Sequence, residues 1–256
     1  MSDPSAWRVL AKTSTRTLSP GDRFELALGP HFADDPQPDT GSVRCSGLQW
    51  DARHWYFRLM QAPKTEEKAD PKRDRVLSNG TKFHDRVQEA MTRLQREANP
   101  WDVQIVAVEG YDPTEYKREI YPGVVLSGHL DGVVEIEGVT YVVELKSMGS
   151  RWWRTIKQPL VAHRWQATGY HRLTDGWPTL FVYENKDTQE WKHFVFHPDG
   201  GWVGRLDRKL HTLSDALRDG VAPAYCVQDT EDDTEWIVGA CNKCPFQTHC
   251  FAVGVK

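Results

Sequence analysis

The sequence predicts an α/β domain built on a mixed β-sheet flanked by helices, and three observations predict it. Apolar residues recur at helical spacing in three segments, around 83–94, 161–173 and 206–217. Between them lie segments that alternate apolar and polar residues, at 103–110, 128–147 and 179–197. The resulting order of helix, strands, helix, strands, helix belongs to an α/β domain rather than to a bundle or a sandwich.

Taken in order, residues 1–40 are rich in Pro, Gly and Asp, which predicts loops with one or two short strands and no functional site. The stretch LQWDARHWYFRLM (48–60) reads as an amphipathic helix with Leu48, Trp55 and Leu59 towards the core. A charged, mobile loop over 61–75 should follow. In NGTKFHDRVQEAMTRLQREANP, Phe83, Val87, Met91 and Leu94 mark a helix capped at Asn79 or Thr81 and stopped at Asn99-Pro100, with His84 at the edge of its buried stripe. VQIVAVEG reads as a strand, and EIYPGVVLSG leads into the hairpin GHLDGVVEIEGVTYVVELKS (128–147). Val161, Trp165, Gly169 and Leu173 then predict one long helix, broken at Asp175-Gly176-Trp177-Pro178. A second hairpin turns at Asn185-Lys186-Asp187, and Leu206, Leu210, Leu213 and Leu217 mark a third helix ending at Gly220.

The 128–147 hairpin carries the first chemistry. A two-residue turn at Glu137-Gly138 pairs Ile136 with Val139, Val134 with Tyr141, Gly132 with Val143 and Leu130 with Leu145, which makes one face apolar. The other face then sets Val133 opposite Val142, Asp131 opposite Glu144 and His129 opposite Lys146. Opposed carboxylates repel unless something neutralises them, and a divalent cation does so. Lys146 points to the same face as Glu144. An Asp, a Glu and a Lys beside an oxygen-liganded metal form a centre able to hydrolyse phosphodiesters; the competing reading is an acid-rich hairpin with a solvated outer face.

The bounds set by composition agree with this. The 256 residues suit one large domain with an ample core, here taken as a single domain with an N-terminal region (1–60), a core (78–220) and a cysteine-rich end (221–256). The formal net charge of −4 gives no global signature of nucleic-acid binding, so any such site must be local. No apolar run reaches membrane-spanning length and the first residues do not read as a secretory signal, so no membrane partner and a cytoplasmic location are expected. Five cysteines, three of them in the last sixteen residues, suggest metal or cluster ligation rather than a disulfide framework.

Gln166 and Tyr170 stand four apart and share one helix face, which allows either a polar pair reaching a site or ordinary packing. Upstream, RWWRTIK interleaves basic and aromatic residues as single-strand channels do; Arg151, Trp152, Trp153, Arg154 and Arg164 are the candidate nucleic-acid contacts, against the reading that the tryptophans belong to the core.

In their order along the chain, His84, Asp131 in GHLD, Glu144 to Lys146 in ELK, and Gln166 to Tyr170 in QATGY resemble the PD-(D/E)XK nuclease superfamily, and within it the RecB-like exonucleases. The resemblance covers residues 78–196. It implies a restriction-endonuclease-like core in which Asp131, Glu144, the Leu145 carbonyl and His84 hold Mg²⁺ or Mn²⁺. Lys146 would activate the attacking water, and Gln166 and Tyr170 would orient substrate or lysine. The implied activity is a metal-dependent deoxyribonuclease, an exonuclease on single-stranded or frayed DNA ends. DNA would be its partner, alongside a helicase, recombinase or CRISPR-adaptation protein. Two alternatives remain: a non-catalytic nucleic-acid-binding module of the same fold, and a structure-specific endonuclease.

Cys241, Cys244 and Cys250, spaced C-x₂-C-x₅-C, are similar to the triplet that closes a [4Fe–4S] cluster in the CRISPR-associated adaptation exonucleases and AddB-type nucleases. The fourth cysteine of those proteins lies in a Ser-x-Leu-x-x-Cys-x-Arg stretch, where this chain has SGLQWDAR with Asp51 in the cysteine's place. Cys45, Asp51 and Cys226 are the candidate fourth ligands, in that order. Structural Zn²⁺ on the triplet with His249 or Cys226 is the competing reading.

Overall fold

The computed structural model describes residues 41–65, 71–96, 102–224 and 243–253. The chain divides into two compact units, one of residues 1–40 and 66–86, the other of 41–65 and 87–256. The second unit holds both sheets and the core.

Among the described residues, a short strand β1 (Val43–Arg44) and one 3₁₀ turn precede α1 (Ala52–Leu59), and α2 (Pro71–Leu94) follows. Then come β2 (Val103–Val108), β3 (Glu115–Tyr121), β4 (Val124–His129), β5 (Gly132–Ile136) and β6 (Val139–Met148). Helices α3 (Ser150–Thr155) and α4 (Val161–Leu173) lead to β7 (Thr179–Asn185) and β8 (Trp191–Phe196), and α5 (Gly200–Asp219) and α6 (Gln247–Val253) complete the fold. The strands form two sheets, ordered β1-β4-β3 and β2-β5-β6-β7-β8. Each is mixed: β1 with β4 and β6 with β7 are parallel, the other pairs antiparallel. The α3–α4 crossover between β6 and β7 is what a parallel pair requires.

The turn at Glu137-Gly138 has positive φ at both residues (51° and 77°), the geometry of a tight hairpin turn, and the ladder runs from Ile136–Val139 to Gly132–Val143 as its length dictates. The pairing stops there. Leu130 and Asp131 are a crossing between sheets: the Leu130 N–H donates to Thr114, and His129 ends β4 opposite Glu115. The expected His129–Lys146 pair is therefore absent. The hairpin also buries both faces, since Val133 and Val142 are as enclosed as Val134 and Val143, because helices and the smaller sheet cover it.

Two helix boundaries differ from expectation. Asp51 accepts a hydrogen bond from the Arg53 N–H and caps α1 there, so Leu48 lies in the preceding turn, although it is fully buried. Helix α2 starts at Pro71, inside the stretch expected as a mobile loop: proline suits a first helical turn. Asn79-Gly80 is interior to it rather than its cap. Helix α4 spans the expected Val161–Leu173, and the short α3 before it is kept separate because Pro159 lacks an N–H and disfavours helix in the residue before it. Helix α5 ends as expected at Gly220, in the left-handed region at φ 66°.

Candidate active site

Helix α4 reaches the core closely because two glycines let it. A Cβ on Gly169 would meet Leu48 Cδ1 at 2.5 Å and Cys45 Sγ at 2.7 Å; one on Gly128 would meet the Tyr170 ring at 2.8 Å and Cys45 Sγ at 3.1 Å. The approach lowers Gln166 and Tyr170 onto the end of β6. Gln166 Nε2 donates to Glu144 Oε1 at 2.8 Å and to the Tyr170 hydroxyl at 2.6 Å, and that hydroxyl donates to the His129 carbonyl at 2.9 Å. Lys146 Nζ also donates to Glu144 Oε1. Across the crossing, the Leu145 N–H donates to Asp131 Oδ2 at 2.6 Å, which fixes one carboxylate against the strand that carries the other.

Glu144 is 2 % exposed and Asp131 7 %. Burial pushes the Glu144 carboxyl above its ordinary range, with Lys146 opposing the shift and Asp131 adding to it. Burial alone would pull the Lys146 ammonium down, but the charges of Glu144 and Asp131 outweigh it and raise the group. Burial, with Glu144 and Asp131 beside it, raises Tyr170 well above the phenol range, so it serves as a neutral donor. Glu144 Oε2 is buried and has no hydrogen-bond partner among the described residues. A buried carboxylate oxygen without a donor is costly unless a cation meets it.

A further carboxylate joins them, one that sequence reasoning missed. Glu109 follows β2 directly, and its N–H donates to the Asp131 carbonyl at 3.2 Å. Glu109 and Asp131 each present a carboxylate oxygen within 4.8 Å of the other. Gln88 of α2 donates to Glu109 Oε2 at 3.0 Å. An acid at the end of a strand leading towards GHLD was the available signal. His84 lies on α2 one turn before Gln88, on the same helix face, and belongs to the first unit.

The basic-aromatic residues divide. Trp152 is 65 % exposed, with Arg151 and Arg154 exposed beside it. Trp153 is half-buried beneath Lys192, whose Nζ stands 4.1 Å from its ring, and Arg164 stacks on Trp202 at 5.1 Å, on the side of α4 away from the carboxylates.

Among the described residues, Cys45 does not join Cys244 and Cys250 in one ligand group. Cys45 is fully buried in the contact with Gly128 and Gly169, and burial together with Glu144 pushes its thiol up. Cys244 and Cys250 lie instead by α1: His54 Nδ1 is 3.4 Å from Cys244 Sγ, and Arg53 Nε donates to Cys250 Sγ at 3.1 Å. Cys45 occupies a packing position, the reason being that its thiol fills the close approach of α4. Cys241 and Cys226 lie outside the described residues, and Asp51 is engaged in capping α1.

No protein-family model matches the chain, and no curated protein does. Among solved structures, SSO0001 is 16 % identical, with 90 % of this chain and 95 % of that one covered at a TM-score of 0.45. An alkaline exonuclease from Laribacter hongkongensis, LHK-Exo, is 15 % identical over 70 % of this chain and 89 % of its own, at 0.47. The same exonuclease in complex with dAMP gives 15 %, 80 %, 94 % and 0.45. These likenesses are too distant to assign an activity. Among the described residues, no helix is long and apolar enough to cross a membrane.

Proposed function

We propose that the protein is a metal-dependent DNA nuclease of RecB-like type, acting as an exonuclease on single-stranded or frayed ends from one catalytic core around residues 78–220. The observation that carries the reading is the partnerless buried oxygen of Glu144, set beside Asp131 and Lys146. Asp131, Glu144 and Glu109 would be the oxygen donors for Mg²⁺ or Mn²⁺, with the Leu145 carbonyl beside them. When bound, that cation would lower the pKa of a water and neutralise phosphate oxygens. Lys146 positions the attacking water and stabilises charge on the phosphate. Gln166 holds Glu144 Oε1, so that Oε2 would be the oxygen offered to a cation, and Tyr170 fixes Gln166. Trp152, Arg151 and Arg154 supply a stacking and phosphate-binding surface for a single strand.

The cysteine corner is a separate, structural metal site in this reading, with Cys241, Cys244 and Cys250 holding a [4Fe–4S] cluster or Zn²⁺. The sulfur-directed Arg53 Nε and the neighbouring His54 suit a thiolate centre there.

The test is cleavage of end-labelled linear and circular DNA by anaerobically purified protein with Mg²⁺ or Mn²⁺. Lys146→Ala should lower the rate at least about 10³-fold while DNA and metal binding persist, and Asp131→Ala should lose metal binding as well. Undiminished cleavage by either variant removes this active site. A wild type that binds DNA but cuts none of the substrates favours the binding-module alternative.

A further inference from the structure

Helix α4 carries a third polar residue on the face that holds Gln166 and Tyr170: His163, three positions before Gln166. Its Nδ1 lies 2.6 Å from the hydroxyl of Tyr183. Tyr183 is fully buried on β7, directly opposite Lys146 in the parallel ladder. The Leu160 N–H also donates to that hydroxyl, at 3.4 Å. With Leu160 donating to it, the hydroxyl is placed to give its own hydrogen to Nδ1, and the tautomer assigned to the neutral imidazole is the one with its hydrogen on Nε2. Burial and the nearby Lys146 charge favour the same neutral form, holding the ring at about 3. Nε2 has no protein partner among the described residues and is not one of their closed-off polar atoms.

This is an uncharged N–H donor beside the lysine. A second ammonium there would be repelled by Lys146, whereas a neutral donor adds a hydrogen bond to the same anion without that cost. No hydrogen bond or ion pair described here ties His163 to Asp131 or Glu144. Its other visible role is stacking on Phe181, at 6.3 Å and 26°.

We propose that His163 donates from Nε2 to a phosphate oxygen of the DNA strand held at Lys146, with Tyr183 as its positioning residue. The inference rests on the nuclease reading above.

Two substitutions separate donor from packing. His163→Gln keeps an N–H donor and loses the ring; His163→Phe keeps the ring and loses the donor. Steady-state cleavage of labelled DNA, measured well below the melting temperature of each variant, should show His163→Gln within about fivefold of wild type and His163→Phe down about 10- to 100-fold in kcat, with His163→Phe melting somewhat lower because the Tyr183 hydroxyl loses its acceptor. Tyr183→Phe should cost about tenfold alone and little more when added to His163→Phe, because it acts through the histidine. The reverse order, with the Phe variant active and the Gln variant impaired, overturns the proposal, as does a fully additive Tyr183 effect. If wild type cleaves, Lys146→Ala does not, and His163→Phe equals wild type, only this inference falls. If wild type cleaves nothing, the nuclease reading falls and takes it along.

Discussion

The carboxylate site and the cysteine corner are both clusters of potential metal ligands, yet they are built in opposite ways. At the carboxylate site, Asp131, Glu144, Lys146, Gln166 and Tyr170 lie within forty residues, on a hairpin and the crossover helix that follows it, and are joined by direct hydrogen bonds. At the cysteine corner, Cys244 and Cys250 come from the C-terminal end and meet α1, some 190 residues earlier in the chain. Strand register and helix spacing arrange the first kind of site. Tertiary packing alone arranges the second, so the residues that surround it follow no local rule.

The largest effect expected from that difference is at the corner. If the corner holds the proposed structural metal, Cys244→Ser should lose iron or zinc in elemental analysis and more than about 3 kcal/mol of stability, since such metal binding is coupled to folding. Cys45→Ala should keep its metal and lose about 1 kcal/mol, the cost of a small cavity. Equal metal loss in both variants would restore Cys45 to the ligand set and erase the contrast.

A smaller effect is expected where α4 meets the core. Gly169→Ala places a methyl group against Leu48 and Cys45 and should cost about 1 to 3 kcal/mol in denaturant unfolding. Cys45→Ala in the same chain should return part of that loss. Simple additivity of the two would show that the contact does not set the helix position.

Another effect concerns pH. His163 is held at about 3 in the folded chain against about 6.5 when unfolded, so the unfolded state binds the extra proton first. Its contribution to stability is complete above pH 6.5 and is lost progressively as pH falls from there towards 3. By pH 5 the loss should be about 2 kcal/mol, and thermal melts of His163→Gln should be flatter over that range. A parallel decline in the variant would mean that other groups dominate.

How much of this was legible in the sequence follows from the same contrast. The register of the 128–147 hairpin could be counted from Glu137-Gly138, because a two-residue turn leaves one pairing. The end of that ladder could not, since Leu130 crosses from a second sheet in which β3 and β4 pair with each other and with β1, about eighty residues earlier. Gln166 and Tyr170 were legible as a helical pair; their joint hold on Glu144 and His129 was not, because it depends on Gly128 and Gly169 admitting the helix. Glu109 was missed because one acid after a strand carries no spacing signature. The start of α2 was missed because its first two turns are polar, so the apolar period that marks a helix begins only later.

The Tyr170 hydroxyl ends on the carbonyl of His129, the last residue of β4 in the small sheet, while its partner Gln166 ends on Glu144 in the large one. Three hydrogen bonds thus act as a strut between two layers that share no ladder. Loading the carboxylates should tighten that strut, and amide exchange in Val124–His129 should slow when cation is added, although none of those residues is a ligand. A packing change in the small sheet would in turn surface as weaker cation affinity, at a distance from any DNA contact.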